Sequence, residues 1–260
     1  MAVHLKPEDT VCRGKYRLIR LLGEGGFATV FEAENTATNR RVALKVVHAE
    51  SAGPEVVERL RREAVVSSRV RHRHVVDVYD LEEEGGLCFL VMEYLRGETL
   101  REALERRRLP PDVASALLLS VMRGLSVMHR HGVVHRDIKP ENIYLARQHD
   151  SSEVVPKLID FGICKVLQPD ELLPPVTRAG TQGMGTPAYI SPEQYADSAG
   201  VDARSDIYSL GVVLYECLTG RAPYDAPSQR DLMLKVLTTS PAGLAKGSAT
   251  IPPREDPRRS

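Results

Sequence analysis

At 260 residues the chain is long enough for one large domain or two lobes with a real core, and its 42% hydrophobic and 27% charged residues are ordinary for a soluble globular protein. Lys and Arg number 35, as do Asp and Glu, so net charge gives no ground for a nucleic-acid or membrane-surface partner. Cys12, Cys88, Cys164 and Cys217 are scattered without paired spacing, which argues for reduced thiols rather than a disulfide framework or a metal site. Residues 1–13 are polar, with no apolar stretch of signal-peptide length, and the longest apolar run, Leu210 to Leu218, is broken by Glu216 and too short to span a bilayer. These features predict a soluble, cytoplasmic protein with no membrane segment in this chain.

The first third reads as strands. Tyr16 to Leu22 leads into Gly23-Glu-Gly-Gly-Phe-Ala-Thr-Val30, then Phe31 to Glu34, a polar turn at Asn35 to Arg40, and Arg41 to Val47. Alone, the glycine cluster is a hairpin turn. In the strand 41–47, Val42, Leu44 and Val46 share one face, and Ala43, Lys45 and Val47 the other. A helix is predicted from Pro54 to about Val70, with Val56, Leu60 and Glu63 at i, i+4 and i+7 on one face. A carboxylate on an inward face needs a cation, and Lys45 is the natural candidate; a solvated Arg/Glu helix would not explain where Glu63 falls. Val75 to Leu81 and Leu87 to Glu93, joined through Gly85-Gly86, complete a small lobe of five strands and one helix over about residues 14–95.

Beyond Gly97 the pattern turns helical and a large lobe is predicted to about residue 237. Thr99 to Arg108 is a short charged helix, and Pro110-Pro111-Asp112 starts a long one that runs to His131 and is stopped by Gly132. Its apolar residues lie nearly all round, which predicts an internal helix. A polar insert, Ala146 to Pro156, reads as a surface loop. Residues 163–184 are loop-like and carry Thr177 and Thr181. Ser205 is the expected cap of an apolar helix from Asp206 to Thr219 ended by Gly220, and another helix runs from about Ser228 to Leu237. From Thr238 to Ser260 the chain is rich in Pro, Gly and Ser without helical periodicity and is expected to be disordered.

Chemistry concentrates in Gly132-Val-Val-His-Arg-Asp-Ile-Lys-Pro-Glu-Asn142, which no packing need explains. Asp137 can accept the proton of an attacking hydroxyl, Lys139 can offset phosphate charge, and the Asn142 side-chain oxygen can ligate Mg²⁺. The stretch resembles the catalytic loop of eukaryotic-type serine/threonine protein kinases. Gly23, Gly25 and Val30 resemble that family's glycine-rich loop, with Ala28 at its third glycine position. Val42-Ala-Leu-Lys45 resembles its phosphate-gripping lysine motif, Asp160-Phe-Gly162 its metal motif, and Gly185-Thr-Pro-Ala-Tyr-Ile-Ser-Pro-Glu193 the end of its activation segment.

The resemblance covers about Tyr16 to Leu237 and implies an α+β, bilobal fold whose catalytic domain is cut short at its C-terminal end. It implies ATP and Mg²⁺ as cofactors and protein substrates, with a dimer possible for autophosphorylation in trans. It places Leu22, Gly23, Gly25, Val30, Ala43, Lys45, Glu93, Leu95 and Tyr144 around the nucleotide, with Met92 guarding the pocket behind it. It makes Asn142 and Asp160 metal ligands and Asp137, Lys139, Lys45 and Glu63 the catalytic set. Arg136 would receive a phosphate on Thr177 or Thr181, and Thr186, with Lys139, would favour Ser/Thr over Tyr acceptors. Asp206 resembles the family's anchoring aspartate, which bonds to the catalytic-loop backbone; the alternative is simple first-turn dipole complementation. Ser67 stands where the family packs an apolar residue. Two other classes compete: a nucleotide-binding regulatory module with little turnover, against which Asp137 and Asp160 argue, and a small-molecule phosphotransferase, against which the peptide-docking stretch 185–193 argues.

Overall fold

Strand alternation and β-branched residues carry the first half of the chain into one antiparallel sheet. The computed structural model describes residues 5–25, 28–47, 61, 64–148, 153–160, 187–196 and 201–244. Glu63, Thr177, Thr181, Thr186, most of the expected helix from Pro54 and the end of the tail lie outside the described residues. The strands are β1 (Thr10–Val11), β2 (Tyr16–Glu24), β3 (Ala28–Asn35), β4 (Arg41–Val47), β5 (Val78–Glu84) and β6 (Leu87–Glu93), in the order β1-β2-β3-β4-β6-β5. That is one strand more than expected. β1 has two residues, Thr10 opposite Arg17 and Val11 opposite Tyr16, too few to show periodicity in sequence.

The two faces of β4 separate as its alternation predicts. Val42, Leu44 and Val46 pack with Val11, Tyr16, Leu18, Phe31 and Phe89 on the outer face. Ala43 and Val47 join the core that continues into the large lobe. With both faces covered, every residue from Val42 to Val47 is buried, and each fully buried Leu or Phe here contributes about 1.5–3 kcal/mol. The two ends of the sheet order meet through polar groups. Cys12 and Arg13, at φ 55° and 56°, turn their amides onto the Glu84 carboxylate at 2.6 and 2.9 Å. Lys15 Nζ reaches Asp80 (2.9 Å) and Glu82 (2.5 Å). The sheet is therefore curled, and its edges are occupied rather than open to further pairing. Residues 64–69 are helical (α1) and bring Ala64 and Ser67 into buried positions.

The large lobe begins with a second antiparallel sheet, β7 (Gly97–Thr99), β8 (Ile143–Arg147) and β9 (Val154–Leu158), in the order β7-β8-β9. The expected surface loop Ala146 to Pro156 is thus mostly hairpin: Ala146 pairs with Val155 and Arg147 with Val154. The polar residues between had masked two β-branched strand positions. Gly97 has φ 146°, and a Cβ there would meet the Leu145 carbonyl oxygen at 2.1 Å. Gly97→Ala is expected to lower the unfolding free energy by roughly 3 kcal/mol, read as an earlier thermal melt. Gly86→Ala, at φ 79° with nothing within 4 Å, should cost only about 1 kcal/mol.

α2 (Leu100–Arg106) starts at a capping box: the Thr99 side chain accepts from Glu102 N–H, and Glu102 Oε2 accepts from Thr99 N–H at 2.6 Å. α3 (Pro111–Arg130) has proline in its first turn. It is not internal all round. Ala114, Leu118, Val121, Leu125 and Met128 form a buried stripe, whereas Val113, Leu119 and Met122 are exposed. Among the described residues α3 is the one helix long and apolar enough to cross a membrane, but its stripe is part of the core cluster shared with β9 and α5. α4 (Pro192–Ala196), α5 (Ala203–Thr219) and α6 (Gln229–Thr238) complete the lobe. Asp202, not Ser205, caps α5: its side chain accepts from Arg204 N–H at 2.8 Å. Both residue types cap well, and the helix starts at the earlier one. Ser205 is buried instead, its hydroxyl donating to Glu193 Oε1 at 2.6 Å. Gly220, at φ 76°, closes the helix as expected.

Candidate active site

Sheet register lines up one side of a cleft. Gly23 lies opposite Val30, Val30 opposite Lys45, and Lys45 opposite Leu90, one row across β2, β3, β4 and β6. Two residues along, Ala43 lies opposite Met92. Directly opposed residues share a face, so Val30, Ala43, Lys45 and Met92 present one surface. Leu22, Gly23 and Gly25 are exposed at the end of β2. At the link to the large lobe, Glu93 N–H donates to the Asp77 carbonyl at 2.9 Å, and the Glu93 carboxylate accepts from Lys157 Nζ at 2.7 Å. Leu95 packs against the core. Tyr144 lies between Thr99 and Lys157 across β7, β8 and β9, and burial pushes its hydroxyl above the usual tyrosine range.

The stretch 132–142 is held from below by Asp206 in α5, which is 1% exposed. Its Oδ2 accepts from His135 N–H (2.9 Å) and sits 2.7 Å from His129 Nε2, and its Oδ1 accepts from Arg136 N–H (2.8 Å). Gln194 in α4 donates to the Arg136 carbonyl at 3.1 Å. Arg136 is thereby fixed at φ 63°, a left-handed conformation that costs a non-glycine residue about 1–3 kcal/mol. His135 is fully buried. Its Nε2 lies 3.1 Å from the Ile159 carbonyl, and its Nδ1 accepts from Asp137 N–H at 3.3 Å, so the ring ties the loop to the residue before Asp160.

Above these anchors stand the residues that the sequence marks as candidates for catalysis and metal binding. Asn142 Nδ2 donates to both the Asp137 carbonyl and Asp137 Oδ2, each at 2.8 Å. Lys139 Nζ is 3.0 Å from the same Oδ2. Ile159 N–H donates to the Asn142 carbonyl at 2.9 Å, which fixes Asp160 next to this group. Asp160, at φ 62°, turns its carboxylate onto Lys45 Nζ in an ion pair between the lobes. Lys45 is 5% exposed at its side chain and Asp160 42%, so the pair opens toward the cleft.

Asn142 gives its amide protons to Asp137, which keeps Oδ1 as the acceptor end of the side chain, and its backbone carbonyl holds Ile159, the residue before Asp160. Two hard oxygens and no thiolate or imidazole suit a cation that takes its remaining ligands from phosphate and water, as Mg²⁺ does. No cluster of three or more His, Cys, Asp or Glu side chains able to cage a metal occurs among the described residues. The donor set therefore fits Mg²⁺ bound with a polyphosphate.

Lys45, Asp137, Lys139, Asn142 and Asp160 come together, and the nucleotide-side residues share the surface above them. Glu63 and the three threonines lie outside the described residues, so the described partner of Lys45 is Asp160. Sequence reasoning missed Lys157 against Glu93, and the link of Arg101 to Glu141, Tyr189 and Glu216. Lys157 carried a signal, a lysine in an otherwise apolar strand; Arg101 carried none.

Two lobes, a strand lysine paired to an aspartate at the end of β9, and a loop aspartate bonded to its own asparagine and lysine define a phosphotransferase domain of the protein-kinase class. A family model described as protein kinase domain matches residues 16–255, and the chain belongs to that family. The match runs past Leu237, where the recognisable motifs end. The chain is 38% identical over 248 residues to the serine/threonine-protein kinase pkn2 of Myxococcus xanthus, covering 95% of this chain and 29% of that protein. It is 40% identical over 233 residues to PknA of Corynebacterium glutamicum, covering 87% and 47%. To PknL of Mycobacterium tuberculosis it is 39% identical over 254 residues, covering 96% and 60%. The chain thus spans between 29% and 60% of the length of these three relatives. All three relatives are named serine/threonine-protein kinases.

Proposed function

We propose that the domain transfers the γ-phosphate of ATP to serine or threonine hydroxyls of protein substrates. Asn142 and Asp160 would hold Mg²⁺, which would supply positive charge beside the phosphates. Val30 and Ala43 from the small lobe and Tyr144 from the large lobe take the adenine, Met92 guards the pocket behind it, main-chain groups of Glu93 to Leu95 meet its edge, and the glycine-rich turn through Gly23 and Gly25 covers the phosphates. Lys45 orients the phosphates. Asp137 accepts the hydroxyl proton, and Lys139 offsets charge on the transferred group. The single observation that carries this reading is the joining of Lys45 and Asp160 beside the Asp137–Asn142–Lys139 group.

Autophosphorylation of Thr177 or Thr181 in trans, within a transient dimer, follows from the same chemistry, with Arg136 receiving the new phosphate. The test is incubation of the purified chain with γ-labelled ATP and Mg²⁺, with and without a generic basic protein, followed by site mapping. Label on serine and threonine, including Thr177 or Thr181, is expected. No label on either protein would leave a nucleotide-binding regulatory module in its place, and label confined to the termini would contradict the activation step.

A further inference from the structure

The row of the cleft surface next to the glycine-rich turn carries a charged chain that the mechanism does not use. Arg20 in β2 lies opposite Glu32 in β3, Glu32 opposite Ala43 in β4, and Ala43 opposite Met92 in β6. Directly opposed residues share a face, so Arg20 and Glu32 continue the cleft surface. Arg20 Nε donates to Glu32 Oε2 at 2.7 Å, and one of its terminal nitrogens donates to the Tyr94 hydroxyl at 3.1 Å. Tyr94 follows β6 in the link between the lobes. Arg41 donates to the other Glu32 oxygen at 2.7 Å.

Charge and register define what Arg20 adds. The Glu32 side chain is 8% exposed and needs a cation, but Arg41 already supplies one from the next strand. A second guanidinium exceeds what neutrality requires, and Arg20 spends its further nitrogen on Tyr94. The strand β2 needs such a tie. Its register against β3 slips by one residue between Leu18 and Arg20 and again between Leu21 and Gly23. Each bulge bends the strand and interrupts the ladder, so pairing alone fixes poorly the end that leads into Gly23 and Gly25. The link itself is gripped from the large lobe, where Lys157 Nζ donates to Glu93 at 2.7 Å. One residue on, at Tyr94, the small lobe grips it through Arg20.

We propose that Arg20 is a positioning residue for the nucleotide: by bridging Glu32 to Tyr94 it sets the height of the glycine-rich turn above the lobe link, and with it the rate at which a bound nucleotide escapes. Arg20 touches no reactant, so its loss shortens the stay of the nucleotide and leaves the transfer step alone. This role rests on the kinase reading above.

The experiment measures the dissociation rate of a fluorescent ATP analogue with Mg²⁺, and kcat and ATP KM with a generic basic protein. It compares wild type, Arg20→Ala, Tyr94→Phe, the double variant and Arg17→Ala. Arg17 is the control: it lies on the same strand at similar exposure, but its partners are Glu8 and Glu34, away from the link. In Arg20→Ala the analogue should leave about fivefold faster and ATP KM should rise by a similar factor, with kcat not lowered. Tyr94→Phe, which removes only the hydroxyl, should show the same shift. The double variant should be no worse than either alone, because both break one bridge. Arg17→Ala should stay within about 1.5-fold of wild type, as an exposed ion pair on the sheet should. A wild-type dissociation rate in Arg20→Ala or in Tyr94→Phe overturns the proposal. So does an equal shift in Arg17→Ala, which would mean general weakening of the sheet, or a double variant whose two losses multiply. If Arg20→Ala does not fold, Tyr94→Phe decides alone. A wild type that binds the analogue but transfers no phosphate overturns the kinase reading while the dissociation rates still decide the bridge; a wild type that binds no nucleotide overturns both.

Discussion

Asp137→Asn should bind Mg²⁺ and ATP within about twofold of wild type yet transfer phosphate more slowly by a factor of about 10²–10⁴, the usual contribution of a positioned general base. Asparagine is isosteric and keeps an oxygen for the Asn142 amide, now 2.8 Å from Asp137 Oδ2. The anchors on the backbone of His135 and Arg136 are untouched. What is lost is the basic oxygen and the charge that Lys139 faces at 3.0 Å. Nucleotide titration beside a single-turnover assay separates the two effects. A parallel fall in ATP affinity would mean that Asp137 shapes the nucleotide site and does not act on the acceptor hydroxyl.

Asp206→Asn should be nearly as damaging although Asp206 touches no reactant. Its two oxygens accept from His135 N–H and Arg136 N–H and face His129 Nε2, all in a site where the carboxylate is 1% exposed. An amide offers one acceptor and sets its own N–H₂ against a donor. One buried backbone N–H is then orphaned, at a cost of about 1–3 kcal/mol. The left-handed conformation of Arg136, held by that bond, loses support. Stability should fall by roughly 3 kcal/mol, because a buried charge network is broken. Transfer should fall by about a hundredfold even at temperatures where the variant is folded, since a misplacement of about 1 Å is worth that much. Thermal melts and kcat at low temperature check both. Full activity in the folded variant would make Asp206 a structural helix-start residue only.

The candidate site residues were legible because each sits in a short, fixed-type stretch: Asp137 and Asn142 five residues apart, Lys45 in one alternating strand, Asp160 after another. What was not legible depends on distant partners. Arg101 and Glu216 are far apart in the chain, and nothing local marks either as paired. Glu93 holds Lys157 across 64 positions. β1 is too short for periodicity, and its role follows from an edge closed through Glu84. The outer residues of α3, Val113, Leu119 and Met122, match the inner ones in type, so only packing tells them apart. The α5 start was misjudged because Asp202 and Ser205 are equally good caps. Asp206 carried two readings in sequence; its bonds to the catalytic-loop backbone decide for the anchor.

The most direct test of the shared cleft is calorimetric binding of a non-hydrolysable ATP analogue, with and without Mg²⁺, to wild type and Asp160→Asn. Wild type should bind about tenfold or more tightly with Mg²⁺, and Asp160→Asn should show almost no difference, because the carboxylate that would hold the cation is then lost. Equal wild-type affinity with and without the cation, or no binding at all, would contradict a site in which Lys45, Asn142 and Asp160 close on one metal-bound triphosphate.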